Sequence, residues 1–158
     1  WEKKSDKKVN EKYINLILDE IEPIDGAEKL VNGLHKNGIE IVFLTGGIQY
    51  LADKWAKKWK MKKALGNDLI DGNDGHLTAN INASGHAKGA VMDQLLKEMN
   101  LNQENVAAVG DTVVDLPMFE RADLSIAVNT DNDQVFGKAT YHHNGKLVDL
   151  IQLITKWE

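Results

Sequence analysis

Three short motifs, far apart in the chain but in a fixed order, carry the residues equipped for chemistry. Val42-Phe43-Leu44-Thr45-Gly46-Gly47 ends an apolar run on a hydroxyl and two glycines. Lys88-Gly89 opens a helical pattern, and Val109-Gly110-Asp111-Thr112-Val113-Val114-Asp115 ends a second apolar run on two carboxylates. Thr45 offers a hydroxyl to a phosphate, and Gly46 and Gly47 let backbone N–H groups approach an anion at a helix start. Lys88 supplies a cation, while Asp111 and Asp115 form a partial oxygen shell suited to magnesium, a hard cation. Each motif has a plainer reading: a strand-to-helix turn, a solvated lysine, an aspartate that caps a helix. Order and company give them weight. A nucleophile does not accompany them.

The elements that must position these residues alternate along the chain. Helical periodicity covers 9–21, with Tyr13, Ile14, Leu16, Ile17, Leu18 and Ile21 on a wide apolar face that Pro23 terminates. Asp25 can cap a second helix running to Lys36, with Gly38 past its end. Residues 39–44 read as a strand buried on both faces, and 48–61 as a helix. Residues 68–81 read as two short strands joined by Gly72-Asn73-Asp74-Gly75, a hairpin turn. Further helices are expected over 86–99, 115–121 and 146–157, and strands over 106–109 and 124–128. This alternation predicts a doubly wound, Rossmann-like α/β fold with a parallel sheet. In such sheets ligands bind beyond the carboxyl ends of the strands. Thr45-Gly46-Gly47 and Gly110-Asp111 both fall there, so the two motifs are expected to share one site.

Composition excludes several classes. At 158 residues the chain is of single-domain size, with 42% hydrophobic and 27% charged residues. No run reaches the ~20 apolar residues of a membrane span. Zero cysteines exclude disulfides and thiolate metal sites and agree with a cytoplasmic location. The net charge of −5 argues against nucleic acid as the main partner. Lys54, Lys57, Lys58, Lys60, Lys62 and Lys63 surround Trp55 and Trp59 at helical spacing, which reads as lysines snorkelling about an apolar stripe. His76, His86 and the pair His142-His143 lack a cluster of further ligands, and Asp71-Gly72-Asn73-Asp74-Gly75 lacks the closing glutamate of a calcium loop.

Taken in order, the motifs resemble the haloacid dehalogenase superfamily of phosphatases, and most of all its phosphoserine phosphatases. The likeness covers about 23–153 and is strongest over 106–128, which is similar to that family's strand, Gly-Asp-x-x-x-Asp loop, Met-Phe helix and following strand. The resemblance implies that Thr45, with Gly46 and Gly47, binds the transferring phosphoryl group and that Lys88 neutralises its charge. It implies that Asp111 is a magnesium ligand and that Asp115 supports the metal shell. Two departures stand out. Thr112 replaces the family's second glycine, and Val114 replaces an asparagine that helps position substrate.

The larger departure is the family's first motif, Asp-x-Asp, in which one aspartate attacks phosphorus and the other acts as acid and base. Asp131-Asn132-Asp133 imitates its letters but does not leave a strand directly, and Leu16-Ile17-Leu18-Asp19 imitates the strand but has Ile21 at the second acidic position. In the family that motif lies on a central strand, between those ending here at Leu44 and Val109. Its absence and the opening Trp1 lead to the expectation that the chain is the C-terminal part of a longer protein. On that reading 1–22 is a remnant of a helical cap, and 23–158 is a core domain lacking its first strand. An N-terminal segment or partner chain would complete the sheet. Two functions remain open. One is a magnesium-dependent phosphomonoester hydrolase, with phosphoserine the favoured substrate and no nucleic-acid or membrane partner. The other is a non-catalytic relative that binds metal, phosphate or a partner. A generic nucleotide-binding domain ranks below both, because no glycine-rich phosphate loop follows a first strand.

Overall fold

The computed structural model describes residues 11–71, 77–85 and 87–157. The expected hairpin turn at 72–75, His76 and His86 lie outside the described residues. Helix α1 (Glu11–Leu18) and helix α2 (Ala27–Lys36) precede strand β1 (Val42–Ile48) and helix α3 (Gln49–Lys58). Strands β2 (Lys63–Asp71) and β3 (Leu77–Asn80) follow, then helix α4 (Ala87–Met99) and strand β4 (Ala107–Gly110). A 3₁₀ turn at Val113–Asp115 leads into helix α5 (Leu116–Phe119), strand β5 (Leu124–Val128), helix α6 (Asp133–Phe136) and strand β6 (Tyr141–His143). A last 3₁₀ turn, Leu147–Asp149, enters helix α7 (Leu150–Thr155). The α/β alternation and the hairpin are as expected.

The strands form two three-stranded sheets, in orders β1-β2-β3 and β4-β5-β6. β1 pairs parallel with β2, and β4, β5 and β6 are parallel throughout. β2 changes partner midway: Lys63 to Asn67 pair with β1, whereas Asp68 to Asp71 pair antiparallel with β3. Among the described residues no strand joins β1 to β4. The two edges are held by side chains instead. Leu44 of β1 packs against the cluster containing Ala108 of β4, Met118, Phe119, Ala122, Ala127 and Val135.

β5 explains why helices cover both faces. Successive side chains of a strand point to opposite sides. Ile126 and Val128 pack with Leu34 of α2 and with Leu150 and Ile154 of α7. Ala127 turns the other way, onto Met118 and Phe119 of α5 and Val135 of α6. Trp55 of α3 and Trp59 just after it bury against Val31 of α2, and Lys54 and Lys58 lie 4.9 and 4.8 Å from the Trp55 ring centroid. The tryptophans therefore serve packing, with lysine heads kept at the surface.

Several boundaries differ from the sequence reading. β1 starts at Val42, not Ile39, and continues through Thr45-Gly46-Gly47. Helix α2 is preceded by Gly26 at φ +83°, a left-handed conformation that glycine adopts without steric cost, and no side chain caps it, so Asp25 is not its cap. Asp131-Asn132-Asp133 belongs to the start of α6, where the Asn132 side chain accepts the Gln134 N–H at 2.9 Å. Asp19 follows a helix rather than a strand, and its carboxylate accepts the Tyr50 hydroxyl at 3.0 Å.

Candidate active site

The loop after β4 is built around one carboxylate. Asp115 is 5% exposed, and its Oδ2 accepts the N–H groups of Asp111 and Thr112 and the Thr112 hydroxyl, each at 3.1 Å. Its Oδ1 accepts a 2.6 Å bond from Nζ of Lys88, itself 5% exposed. Both oxygens are thus engaged within the protein. Gly110 makes this possible: a Cβ there would lie 2.5 Å from the Asp115 Cβ and 2.7 Å from its Oδ2. Any side chain at 110 would displace the carboxylate.

Thr112, which stands where the resembling family has glycine, sits at φ −130°, ψ 164°. That extended backbone makes no demand for glycine. The hydroxyl gains a bond to Asp115 that glycine could not supply.

Lys88 reaches Asp115 because α4 and α5 approach closely. A Cβ on Gly89 would meet Arg121 Nη1 at 2.9 Å and Pro117 Cβ at 3.0 Å. Arg121 fastens the two helices, donating to both carboxylate oxygens of Asp93 on α4 at 2.7 and 3.0 Å and to the Pro117 carbonyl at 2.8 Å. Burial alone would push the Asp115 carboxyl up. The Lys88 hydrogen bond and charge, with the Thr112 and Asp111 N–H groups, outweigh it and hold the carboxyl below the usual aspartate range.

Asp111 is placed differently. Its backbone N–H is taken by Asp115, while its side chain is exposed at the carboxyl end of β4 and accepts no hydrogen bond from any described residue. That chemistry fits a hard cation: an accessible carboxylate on a loop whose backbone is already fixed. Among the described residues no group of three or more His, Asp or Glu side chains converges, so Asp111 and Asp115 are the carboxylates this loop supplies.

Thr45 lies midway along β1, just before Gly46 and Gly47. Its Oγ1 accepts the Gly47 N–H at 3.0 Å, and Gly46 and Gly47 are exposed. The structure brings Lys88, Asp111, Thr112 and Asp115 into one bonded cluster. Thr45 has no hydrogen bond to that cluster. Leu44 beside it packs on the hydrophobic group that includes Ala108, and the Cβ position of Gly46 is 3.6 Å from Ser84 Oγ, ahead of α4.

Two amides near Thr45 escape a sequence reading. Asn67 and Gln49 bond the backbone around the glycines. The available signal for Asn67 was a polar residue beside Gly66 in a stretch of mixed polarity that does not read as a strand, and Gln49 reads as an ordinary polar residue at a helix start. His142 and His143 are engaged with the carbonyls of Phe136 and Lys146 at 2.6 and 3.0 Å.

A hydroxyl beside two exposed glycines, a buried lysine–aspartate pair and an exposed aspartate, carried by parallel strands and an adjoining helix, define a class. A model of haloacid dehalogenase-like hydrolases matches residues 2–123, and the chain belongs to that family. Within it the similarity is to phosphoserine phosphatases. That of Archaeoglobus fulgidus is 33% identical over 116 residues, covering 72% of this chain and 33% of the relative. That of Methanocaldococcus jannaschii is 32% identical over 113 residues, covering 70% of this chain and 53% of the relative. A solved substrate-bound phosphoserine phosphatase complex superimposes with a TM-score of 0.79 at 27% identity, over 90% of this chain and 69% of that one. A phospho-aspartyl intermediate analogue of phosphoserine phosphatase gives the same TM-score at 26% identity. The chain spans between a third and about half the length of these two curated relatives.

Proposed function

We propose that the protein is a magnesium-dependent phosphomonoester hydrolase of the phosphoserine phosphatase type, acting through a phosphoaspartate. The observation that carries this reading is the buried Lys88–Asp115 pair, with the accessible Asp111 carboxylate anchored to it through its own backbone N–H. Lys88, with its charge fixed by Asp115, faces the phosphoryl group as a cation. Thr45 binds a phosphoryl oxygen through its hydroxyl, and the open backbone at Gly46 and Gly47 admits the anion. Asp111 would hold magnesium, with Asp115 supporting that acidic shell through the Asp111 amide. Bound there, magnesium would neutralise charge on the phosphoryl oxygens. These groups position the substrate and stabilise charge, which is most of what phosphoryl transfer asks of a protein.

The attacking carboxylate belongs to a further strand seated between β1 and β4. Each of these strands has one neighbour among the described residues, and the two are bridged by side chains alone. A buried N–H or C=O without a partner costs about 1–3 kcal/mol, so two facing edges favour a strand that pairs with both. An aspartate at its carboxyl end would attack phosphorus as the ester P–O bond breaks. Water would then release the phosphate and regenerate the carboxylate. On this reading residues 23–158 form the core domain, and 1–22 are a remnant of the helical cap that selects the substrate. Phosphoserine is favoured because five of six curated relatives are phosphoserine phosphatases, the sixth being a phosphoglycolate phosphatase. Among the described residues no helix is long and apolar enough to cross a membrane, and the cysteine-free composition favours the cytoplasm.

A second reading, a non-catalytic relative that binds metal, phosphate or a partner, is favoured by Val114, 39% exposed where the family has asparagine. Phosphate release from phosphoserine by the complete protein, with and without magnesium, separates the two. Turnover supports the enzyme, and no turnover of any small phosphomonoester supports the binding protein.

A further inference from the structure

β1 and β2 do not keep step. Leu44 pairs with Leu65 and Ile48 with Asn67, so three residues of β1, Thr45-Gly46-Gly47, stand opposite the single residue Gly66. The excess bulges out of the ladder and takes backbone groups away from their regular partners. Gly66 accommodates it: a Cβ there would lie 3.0 Å from the Gly47 carbonyl oxygen and 3.1 Å from the Gln49 backbone. Two side-chain amides then stand in for the lost ladder. Gln49 accepts the Gly66 N–H at 2.6 Å and donates to the Ala64 carbonyl at 3.2 Å. Asn67, 7% exposed, donates Nδ2–H to the Gly46 carbonyl at 2.7 Å.

Asn67 does more than close the bulge. Its Oδ1 accepts the N–H groups of Asn82 and Ala83 at 2.8 and 3.0 Å. These residues open the segment that leads into α4, where Ala87 and Lys88 N–H groups bond back to Ser84 and Gly85. One buried amide therefore ties the Thr45 loop to the approach of the Lys88 helix, and all three of its bonds go to backbone. We infer that Asn67 is a positioning residue that sets the Thr45-Gly46-Gly47 loop against the segment delivering Lys88, without itself touching substrate. This rests on the functional reading above for its consequence in catalysis, but the positioning itself does not.

The test compares the complete wild-type protein with Asn67→Ala, Asn67→Asp and a core control, Ile126→Val. Asn67→Asp keeps an acceptor for Asn82 and Ala83 but loses the donor to Gly46. Amide hydrogen exchange is followed at residues 45–47 and 82–84, and phosphoserine kinetics are measured well below the unfolding temperature. Asn67→Ala is expected to accelerate exchange in both segments, and Asn67→Asp mainly in the first. Misplacing a binding group by about 1 Å can cost about 100-fold, so kcat/KM is expected to fall by about 10- to 100-fold, while Ile126→Val leaves both readouts near wild type. Unchanged exchange at 45–47 and 82–84 in Asn67→Ala would overturn the positioning role. So would kinetic losses that the control reproduces at equal thermal stability. Wild-type protein without turnover would sink the functional reading, and exchange alone would then decide the role of Asn67.

Discussion

Lys88 and Asp115, 27 residues apart in the chain, meet at 2.6 Å with only 6% of either side chain exposed. Removing one member of such a pair leaves an uncompensated buried charge, which costs about 3–5 kcal/mol. Lys88→Met is therefore expected to lower unfolding free energy by about that amount in chemical denaturation. The double change Lys88→Met with Asp115→Leu should lose less than the sum of the two single changes. Strict additivity would mean the two groups are not coupled.

The same pair fixes an acid dependence. The Asp115 carboxyl is held below its ordinary value of 3.8, so the folded state binds its proton more weakly than the unfolded state does. Its stabilising contribution is complete above the ordinary value and is lost as pH falls through the lower folded one. Melting temperatures between pH 6 and pH 2, without added metal, are expected to fall more steeply for wild type than for Asp115→Asn. Parallel curves would show that Asp115 does not carry that share.

Gly110 is required by space rather than by backbone conformation. A methyl group there would overlap Asp115, and forced overpacking typically costs about 1–3 kcal/mol. Gly110→Ala should lower the melting temperature and, in the complete protein, activity. A variant as stable as wild type would mean the loop has another place to put the carboxylate.

Asp111 should separate chemistry from folding. Its side chain is exposed and the structural bond of the loop comes from its backbone, so Asp111→Asn is expected to change stability by no more than about 0.5 kcal/mol. In the complete protein the same change should abolish magnesium-dependent phosphate release. Activity that keeps its wild-type magnesium dependence would remove Asp111 from the metal site.

How far these features were legible differs by residue. Val109-Gly110-Asp111 was legible because an apolar run followed by a glycine and a carboxylate has few other structural meanings, and Leu124 to Val128 because it is a short, nearly all-apolar run. Lys88 was legible only by its order among the motifs, since an isolated helical lysine is ordinarily solvated. Its burial depends on Asp115 and on the space left by Gly89, both set by tertiary packing. The first half of β2 was missed because Lys63, Gly66 and Asn67 are poor strand formers, and pairing with β1 overrides that preference. The extension of β1 through two glycines was missed for the related reason that its bulge is closed by side chains of other residues. Asn132 was legible as a doubtful aspartate motif, and its actual use is local: it caps α6.

Phosphate release from phosphoserine by the complete protein, with and without magnesium, decides whether this site hydrolyses a phosphomonoester. Turnover is expected to rise with added magnesium, to disappear on chelation and to be lost in Asp111→Asn. A well-folded complete protein that releases no phosphate from phosphoserine or any other small phosphomonoester, with magnesium present, would contradict it.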